Sequence, residues 1–210
     1  MKTLHFEDII IYDYDIPQQF FDSIQQTKVV AWDIETSGLD WRNDRIGICQ
    51  LHTPNRPVAI IRIGDVPPER LRLLLSDSSL RKVFHHAMFD LKFMSYQWEI
   101  LPQNVVCTKI ASKLLDVENK NRHSLQSILK QYLGVVINKD EQVSNWLSVN
   151  LTKEQIIYAA KDVVYLLSLL EVLERKLKSR GLLELAHLCF RYIPTQVQLD
   201  ILGYGNIYSY

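Results

Sequence analysis

Cysteine is scarce in this sequence. Cys49, Cys107 and Cys189 are the only three in 210 residues, odd in number, far apart and without a C-x-x-C pair. Neither a disulfide framework nor a cysteine zinc site fits that pattern, so inert thiols in a reducing cytosol are expected. Proline and glycine are equally sparse, at 7 each, which excludes collagen-like and low-complexity chains. No charge of one sign dominates, because 24 Lys and Arg face 24 Asp and Glu. A basic coat protein for nucleic acid would show an excess, although an enzyme with a local basic patch need not. Long hydrophobic runs are missing too. The longest, Val163 to Leu170, is bracketed by Asp162 and Glu171 and is far too short to span a bilayer. The opening residues, MKTLHFEDIIIYDYD, are acidic by position 7 and carry no apolar stretch of signal-peptide length. A cytoplasmic protein without a membrane partner is the expectation.

What is present is an ordinary globular balance, with 47% hydrophobic and 23% charged residues. A chain of this length buries a substantial core without covalent staples. The first half reads as strands rich in β-branched and apolar residues, at Val29–Glu35, Ile46–His52, Val58–Ile63 and Lys82–His85. Ser37-Gly38, Thr53-Pro54-Asn55 and Gly64-Asp65 supply turns between them. From Ala87 the spacing becomes helical, with Phe89, Phe93, Met94 and Trp98 recurring at three to five residues. Ser124 to Leu133 predicts a short helix stopped at Gly134. Thr152-x-x-Gln155 is a capping box, and the periodicity behind it runs to about Leu177, with Gly181 as the stop. A sheet built early and covered by later helices is a layered α/β or α+β architecture. One domain over 1–210 is expected, with about 181–210 as a helical extension packed on it.

Four carboxylates stand out on three of these elements. Asp33 and Glu35 are two apart on a strand and so share a face, while Val30, Trp32 and Ile34 point the other way. Two carboxylates held so close repel and raise one another's pKa unless a cation neutralises them. Alone the pattern is weak, since chance yields roughly one Asp-x-Glu in a chain of this size. Asp90 follows a strand-to-helix turn, where an acid also suits the positive end of the helix dipole. His85 and His86 beside it are adjacent, point to opposite faces of a strand and are poorly placed to share one ion. Tyr158 and Asp162, four apart, lie on one helix face. Each of them also has an ordinary reading, as a half-buried aromatic and a surface partner of Lys161 or Lys153. The combination carries more weight than its parts. Four hard oxygen ligands suit magnesium or manganese rather than zinc or copper. Setting them aside leaves 24 basic against 20 acidic residues, a mildly positive frame suited to a phosphodiester substrate.

With these residues in this order the sequence resembles the DEDDy group of 3′–5′ exonucleases within the ribonuclease D family. The matching residues are Asp33, Glu35, Asp90, Asp162 and Tyr158, the tyrosine that distinguishes the group from its histidine relatives. The segments W-D-I-E-T-S-G-L-D, R-I-G-I-C-Q-L-H, C-T-K-I-A-S-K-L-L and L-T-K-E-Q-I-I-Y-A-A-K-D-V-V-Y-L are similar to the family throughout. So is C-F-R-Y-I-P-T-Q-V-Q-L-D near the end, which is similar to short bacterial members made of the exonuclease domain alone. Three positions depart from the pattern. His86 stands where Asn or a small residue is common, Met88 where a polar residue is frequent, and Asn145 precedes Trp146 where Asp-Trp is usual. None is among the expected metal ligands, so they bear on substrate preference rather than on the chemistry.

The resemblance implies a ribonuclease H-like mixed β-sheet flanked by α-helices, an α/β fold. It implies hydrolysis of terminal phosphodiester bonds with two divalent ions, Mg2+ or Mn2+, held by Asp33, Glu35, Asp90 and Asp162. Tyr158 orients the attacking water, since an unshifted tyrosine is a poor base at neutral pH. The substrate implied is single-stranded RNA or an RNA 3′ end, in the processing or turnover of tRNA and other stable RNAs. The products are nucleoside 5′-monophosphates. Single-stranded DNA is the alternative substrate, and a catalytically idle nucleic-acid-binding domain the alternative of another class. Thr36 and His85, flanking the ligands, are candidate contacts to the terminal nucleotide, and Gln50, Lys109, Lys139 and Trp146 are candidate backbone or stacking contacts, with Trp146 equally readable as core and Lys139 as a solvated charge. Longer members append helical nucleic-acid-binding domains. The sequence beyond Leu183 leaves no room for one, so a partner is expected to supply it where it is needed.

Overall fold

The computed structural model describes residues 5–118, 122–137 and 144–209. Six strands form one mixed sheet: β1 (Ile9–Asp13), β2 (Val29–Thr36), β3 (Ile46–His52), β4 (Val58–Arg62), β5 (Arg81–Phe84) and β6 (Val105–Cys107). Their spatial order is β1-β4-β3-β2-β5-β6. The β2–β3 and β3–β4 pairs are antiparallel, whereas β1–β4, β2–β5 and β5–β6 are parallel. Eight helices cover it among the described residues: α1 (Gln18–Thr27), α2 (Glu69–Ser76), α3 (Ala87–Trp98), α4 (Thr108–Leu115), α5 (Leu125–Leu133), α6 (Lys153–Val164), α7 (Leu166–Ser179) and α8 (Leu183–Ile201). This is the mixed, helix-flanked α/β sheet that the sequence implies. None of these helices is long and apolar enough to cross a membrane.

The four strands read from the sequence agree with the structure to within one residue at each end. Periodicity explains β2 directly. Val30, Trp32 and Ile34 are 0%, 0% and 4% exposed on one face, where Trp32 stacks on Phe84 and meets Trp98 of α3. Asp33 and Glu35 occupy the other face, across which α6 runs over β2, β3 and β4. The α5 boundaries also follow local chemistry. Ser124 accepts from the Ser127 amide at the start, and Gly134 closes the end at φ 69°, a conformation that glycine adopts without penalty.

The long helix expected from Thr152 to about Leu177 is instead two. The capping box forms as read, with the Thr152 hydroxyl accepting from the Gln155 amide. The helix then breaks at Tyr165, whose amide bonds back to the Val163 carbonyl, and α7 starts afresh at Leu166. The break lets α6 lie on the sheet while α7 turns to pack on α4 and α5. The apolar period continues through it, which is why spacing alone misses it. Near the C-terminus α8 packs on α3 and β6.

One close approach braces the site. A Cβ on Gly47 of β3 would lie 2.3 Å from the Trp146 carbonyl oxygen. Trp146 is 2% exposed, and its ring packs 5.9 Å from that of Tyr158. Gly47→Ala therefore has to push the Trp146 backbone off the sheet, an overpacking cost of about 2–3 kcal/mol. Calorimetry is expected to show a Tm lower by ~5–10 °C, with the Tyr158 side of the site displaced.

Candidate active site

Asp33 and Glu35 sit near the end of β2, where the register with β3 shifts between Glu35 and Thr36. Such bulges bend a strand and re-aim its side chains. Asp162 enters from α6. One carboxylate oxygen from each of Asp33, Glu35 and Asp162 lies within 4.8 Å of the others. Asp90 is only 2% exposed in the first turns of α3. It is tied to β2 by a backbone hydrogen bond from Ile34, the residue between the two strand acids. Its Oδ2 is buried without a hydrogen-bond partner among the described residues.

So many buried acids cannot all ionise unaided. Burial first, then Asp90, Asp162 and Glu35, hold Asp33 well above the usual carboxylate range. Burial, then Asp162 and Asp90, push Glu35 up to about 9. Asp90 is pushed up to about 7 by burial and Asp162, against the backbone hydrogen bonds that favour its charge. Hard carboxylate oxygens in this arrangement, with one left unpaired, could hold a divalent cation such as Mg2+. Tyr158 donates to Asp162, and burial with the surrounding acids raises its pKa. Its hydroxyl therefore stays protonated across the physiological range.

The four acids and Tyr158, distant in sequence, converge here. A cavity of about 270 Å³ opens beside them, lined by Asp33, Tyr158 and Asp162 on one side and by His86, Lys109 and Gln126 among others. Lys109, Lys113 and Lys92 are close enough to depress the pKa of His86, after burial, to about 4. Of these, Lys109 lines the same cavity as Asp33 and Asp162.

The other candidate contacts divide. Lys109 lines the cavity. Thr36 is half-buried and spends its hydroxyl on the Gly38 carbonyl at 2.6 Å. His85 also lines the cavity, yet its ring is committed elsewhere: Nε2 donates to the His123 carbonyl at 3.1 Å, and Nδ1 is 3.0 Å from the Thr108 hydroxyl. Burial, and Lys109 after it, lower its pKa to about 3, so it is a neutral brace between β5, α4 and the approach to α5. Gln50 and Trp146 are 0% and 2% exposed and present no surface to a substrate, a correction to their reading as contacts. Lys139 lies outside the described residues. Sequence reading passed over Gln126 and the His123–Ser112 pair, at 3.0 Å, that supports the wall. No motif marks them, because their role comes from where α4 and α5 pack.

A family model described as 3′-5′ exonuclease matches residues 9–178, and the chain belongs to that family of enzymes. Ribonuclease D of Haemophilus influenzae is 30% identical over 155 residues, 73% of this chain and 38% of that protein. DNA polymerase I of Aquifex aeolicus is 37% identical over 145 residues, 68% of this chain and 23% of that protein. The chain thus spans less than half the length of these curated relatives. NrnC of Brucella melitensis corresponds nearly end to end, at 36% identity over 96% of this chain and 98% of that one, with a TM-score of 0.89. That protein has also been solved with bound Mg2+ and with pGG, at TM-scores of 0.88.

Raising the pH should tighten metal binding. A carboxyl whose folded pKa is raised holds a proton in the native state that the unfolded chain has already lost. In metal-free protein, Glu35 and Asp90 therefore erode stability as pH rises from the ordinary carboxylate range toward about 9 and about 7. A cation must displace those protons, so the gain in Tm on adding Mn2+ is expected to be larger at pH 8.5 than at pH 5.5. Differential scanning fluorimetry with Mn2+ against EDTA at each pH measures it, and an equal gain at both would contradict it. Lys82, lowered to about 7 by burial, has the opposite effect on stability. It lies at the other end of β5 and cancels in the comparison.

Proposed function

We propose that this protein is a 3′–5′ exoribonuclease that trims single-stranded RNA ends in RNA processing or turnover in the cytoplasm, releasing nucleoside 5′-monophosphates. The observation that carries the reading is the convergence of Asp33, Glu35 and Asp162 within 4.8 Å, with Asp90 near enough to raise the pKa of both strand acids and Tyr158 hydrogen-bonded to Asp162 in the cavity wall. Asp33, Glu35, Asp90 and Asp162 are proposed to hold two divalent ions. Bound there, such ions supply charge stabilisation to the phosphodiester and make water a competent nucleophile at neutral pH.

The chain's own residues do the rest. Tyr158, kept protonated by its surroundings and donating to Asp162, orients the attacking water by accepting a hydrogen bond from it rather than abstracting its proton. His86 and Lys109, lining the cavity, bind and align the phosphate backbone, which anchors a strand without reading its sequence. A cavity of about 270 Å³ favours a strand end over a duplex. The likeness to ribonuclease D supports RNA over DNA as the substrate, and a similar protein solved with pGG supports a short strand end in the cavity.

The test uses single-stranded RNA and DNA of one sequence, each labelled at the 5′ end, with Mg2+, Mn2+ or EDTA. A metal-dependent ladder shrinking from the 3′ end, faster on RNA, is the expected outcome. Equal or faster shortening of DNA would overturn the RNA assignment, and no shortening of either strand would overturn the exonuclease.

A further inference from the structure

Gln50 is a costly residue where it stands. It is 0% exposed, and neither its Oε1 nor its Nε2 has a hydrogen-bond partner among the described residues. A buried amide left unpaired destabilises a fold by more than the bond would have contributed, whereas an apolar side chain of similar shape would not. Its surroundings indicate what the amide is for. In the antiparallel register Gln50 of β3 lies directly opposite Asp33 of β2, and on its other side opposite Ile60 of β4. Opposed residues of antiparallel strands share a face, their Cβ atoms about 5 Å apart. That face is covered by α6, with the apolar Ile156, Ala159, Ala160 and Val163 among its buried residues. Asp33 is the one carboxylate among the strand residues paired with Gln50, and it points into the candidate metal site. Glu35, two residues along β2, shares that face, as does His52, two residues along β3, whose Nδ1 is also buried and unpaired among the described residues.

We propose that Gln50 is a positioning residue for the metal site, its amide N–H donating to the Asp33 carboxylate and fixing which oxygen that carboxylate turns to a divalent cation. This rests on the proposed role of Asp33 as a ligand. Carboxylates that bind metals are oriented by outer hydrogen bonds, and losing such a partner typically weakens metal binding by about 10–100-fold. The metal-free fold therefore carries an unpaired amide that finds its partner only in the loaded site.

The test compares wild type with Gln50→Met, which fills similar volume without a donor. Gln50→Leu is the second variant and His52→Leu the control. Mn2+ alone is titrated and followed by electron paramagnetic resonance, Tm is recorded in EDTA, and kcat and KM for RNA are measured at saturating Mn2+. The expected result is Mn2+ binding weaker by about 10–100-fold in both Gln50 variants. Their Tm in EDTA should be equal or higher, KM for RNA unchanged, and His52→Leu should bind Mn2+ as wild type does. Wild-type Mn2+ affinity in a folded Gln50→Met would overturn the proposal, as would unfolding or a markedly lower Tm of both Gln50 variants in EDTA, which would assign the amide to the metal-free core. Failure of the wild-type protein to bind Mn2+ at all would instead overturn the reading of the site, so the two failures are distinguishable.

Discussion

Asp33→Asn is expected to slow RNA shortening by ~10³-fold or more while making the metal-free protein more stable. The rate follows from ligand arithmetic. Loss of an outer partner of a metal ligand costs about 10–100-fold, and loss of a ligand itself has to cost more. The stability follows from electrostatics. Asp33 is half-buried beside Asp90, Asp162 and Glu35, and a neutral amide of the same shape removes its share of that repulsion. A gain of about 1 kcal/mol corresponds to a Tm higher by ~2–4 °C for a chain of this size. Opposite movement of activity and stability is the signature of a site that the fold tolerates for its chemistry. Calorimetry in EDTA beside single-turnover rates in Mn2+ measures both. A variant that loses both together would point to a structural carboxylate.

Tyr158→Phe is the second large effect, an expected fall of about 10²-fold in kcat with KM changed much less. Water orientation matters in the transition state more than in the bound ground state, so the loss belongs to kcat. Because burial and the neighbouring acids raise the tyrosine pKa, the hydroxyl stays protonated at every pH of interest. The ratio of wild-type to Tyr158→Phe rates is therefore expected to stay constant between pH 6 and pH 9. A tyrosinate base would give a ratio that climbs with pH instead. Retention of kcat within twofold would remove Tyr158 from the reaction.

Much of this site is written in local spacing. A period of two places Asp33 and Glu35 on one strand face, and a spacing of four places Tyr158 and Asp162 on one helix face. Both patterns survive folding because neighbours along one element enforce them. The strands β2, β3 and β4 were legible for the same reason. β1 and β6 were not: one lies at the start of the chain, the other has three residues, and both owe their strand character to pairing with β4 and β5. The break at Tyr165 was hidden inside a continuous apolar period. The burial of Gln50 was beyond sequence reading, because it depends on the β2–β3 register, and the choice between core and platform for Trp146 was settled only by the approach of its segment to Gly47. His85 and His86 alternate as adjacent residues should, one buried and one exposed. Only the tertiary structure shows the buried one bonded to His123 and Thr108.

The most direct test of the central claim, water-driven hydrolysis at an RNA 3′ terminus by the Asp33–Glu35–Asp90–Asp162 cluster, is digestion of a single-stranded RNA in H2(18O) with Mn2+. Mass spectrometry of the released mononucleotides reads the outcome. The expected products are nucleoside 5′-monophosphates carrying one 18O on phosphorus, absent when Asp33→Asn replaces the wild-type protein. Nucleoside 3′-phosphates or 2′,3′-cyclic phosphates, or label appearing equally with Asp33→Asn, would contradict it.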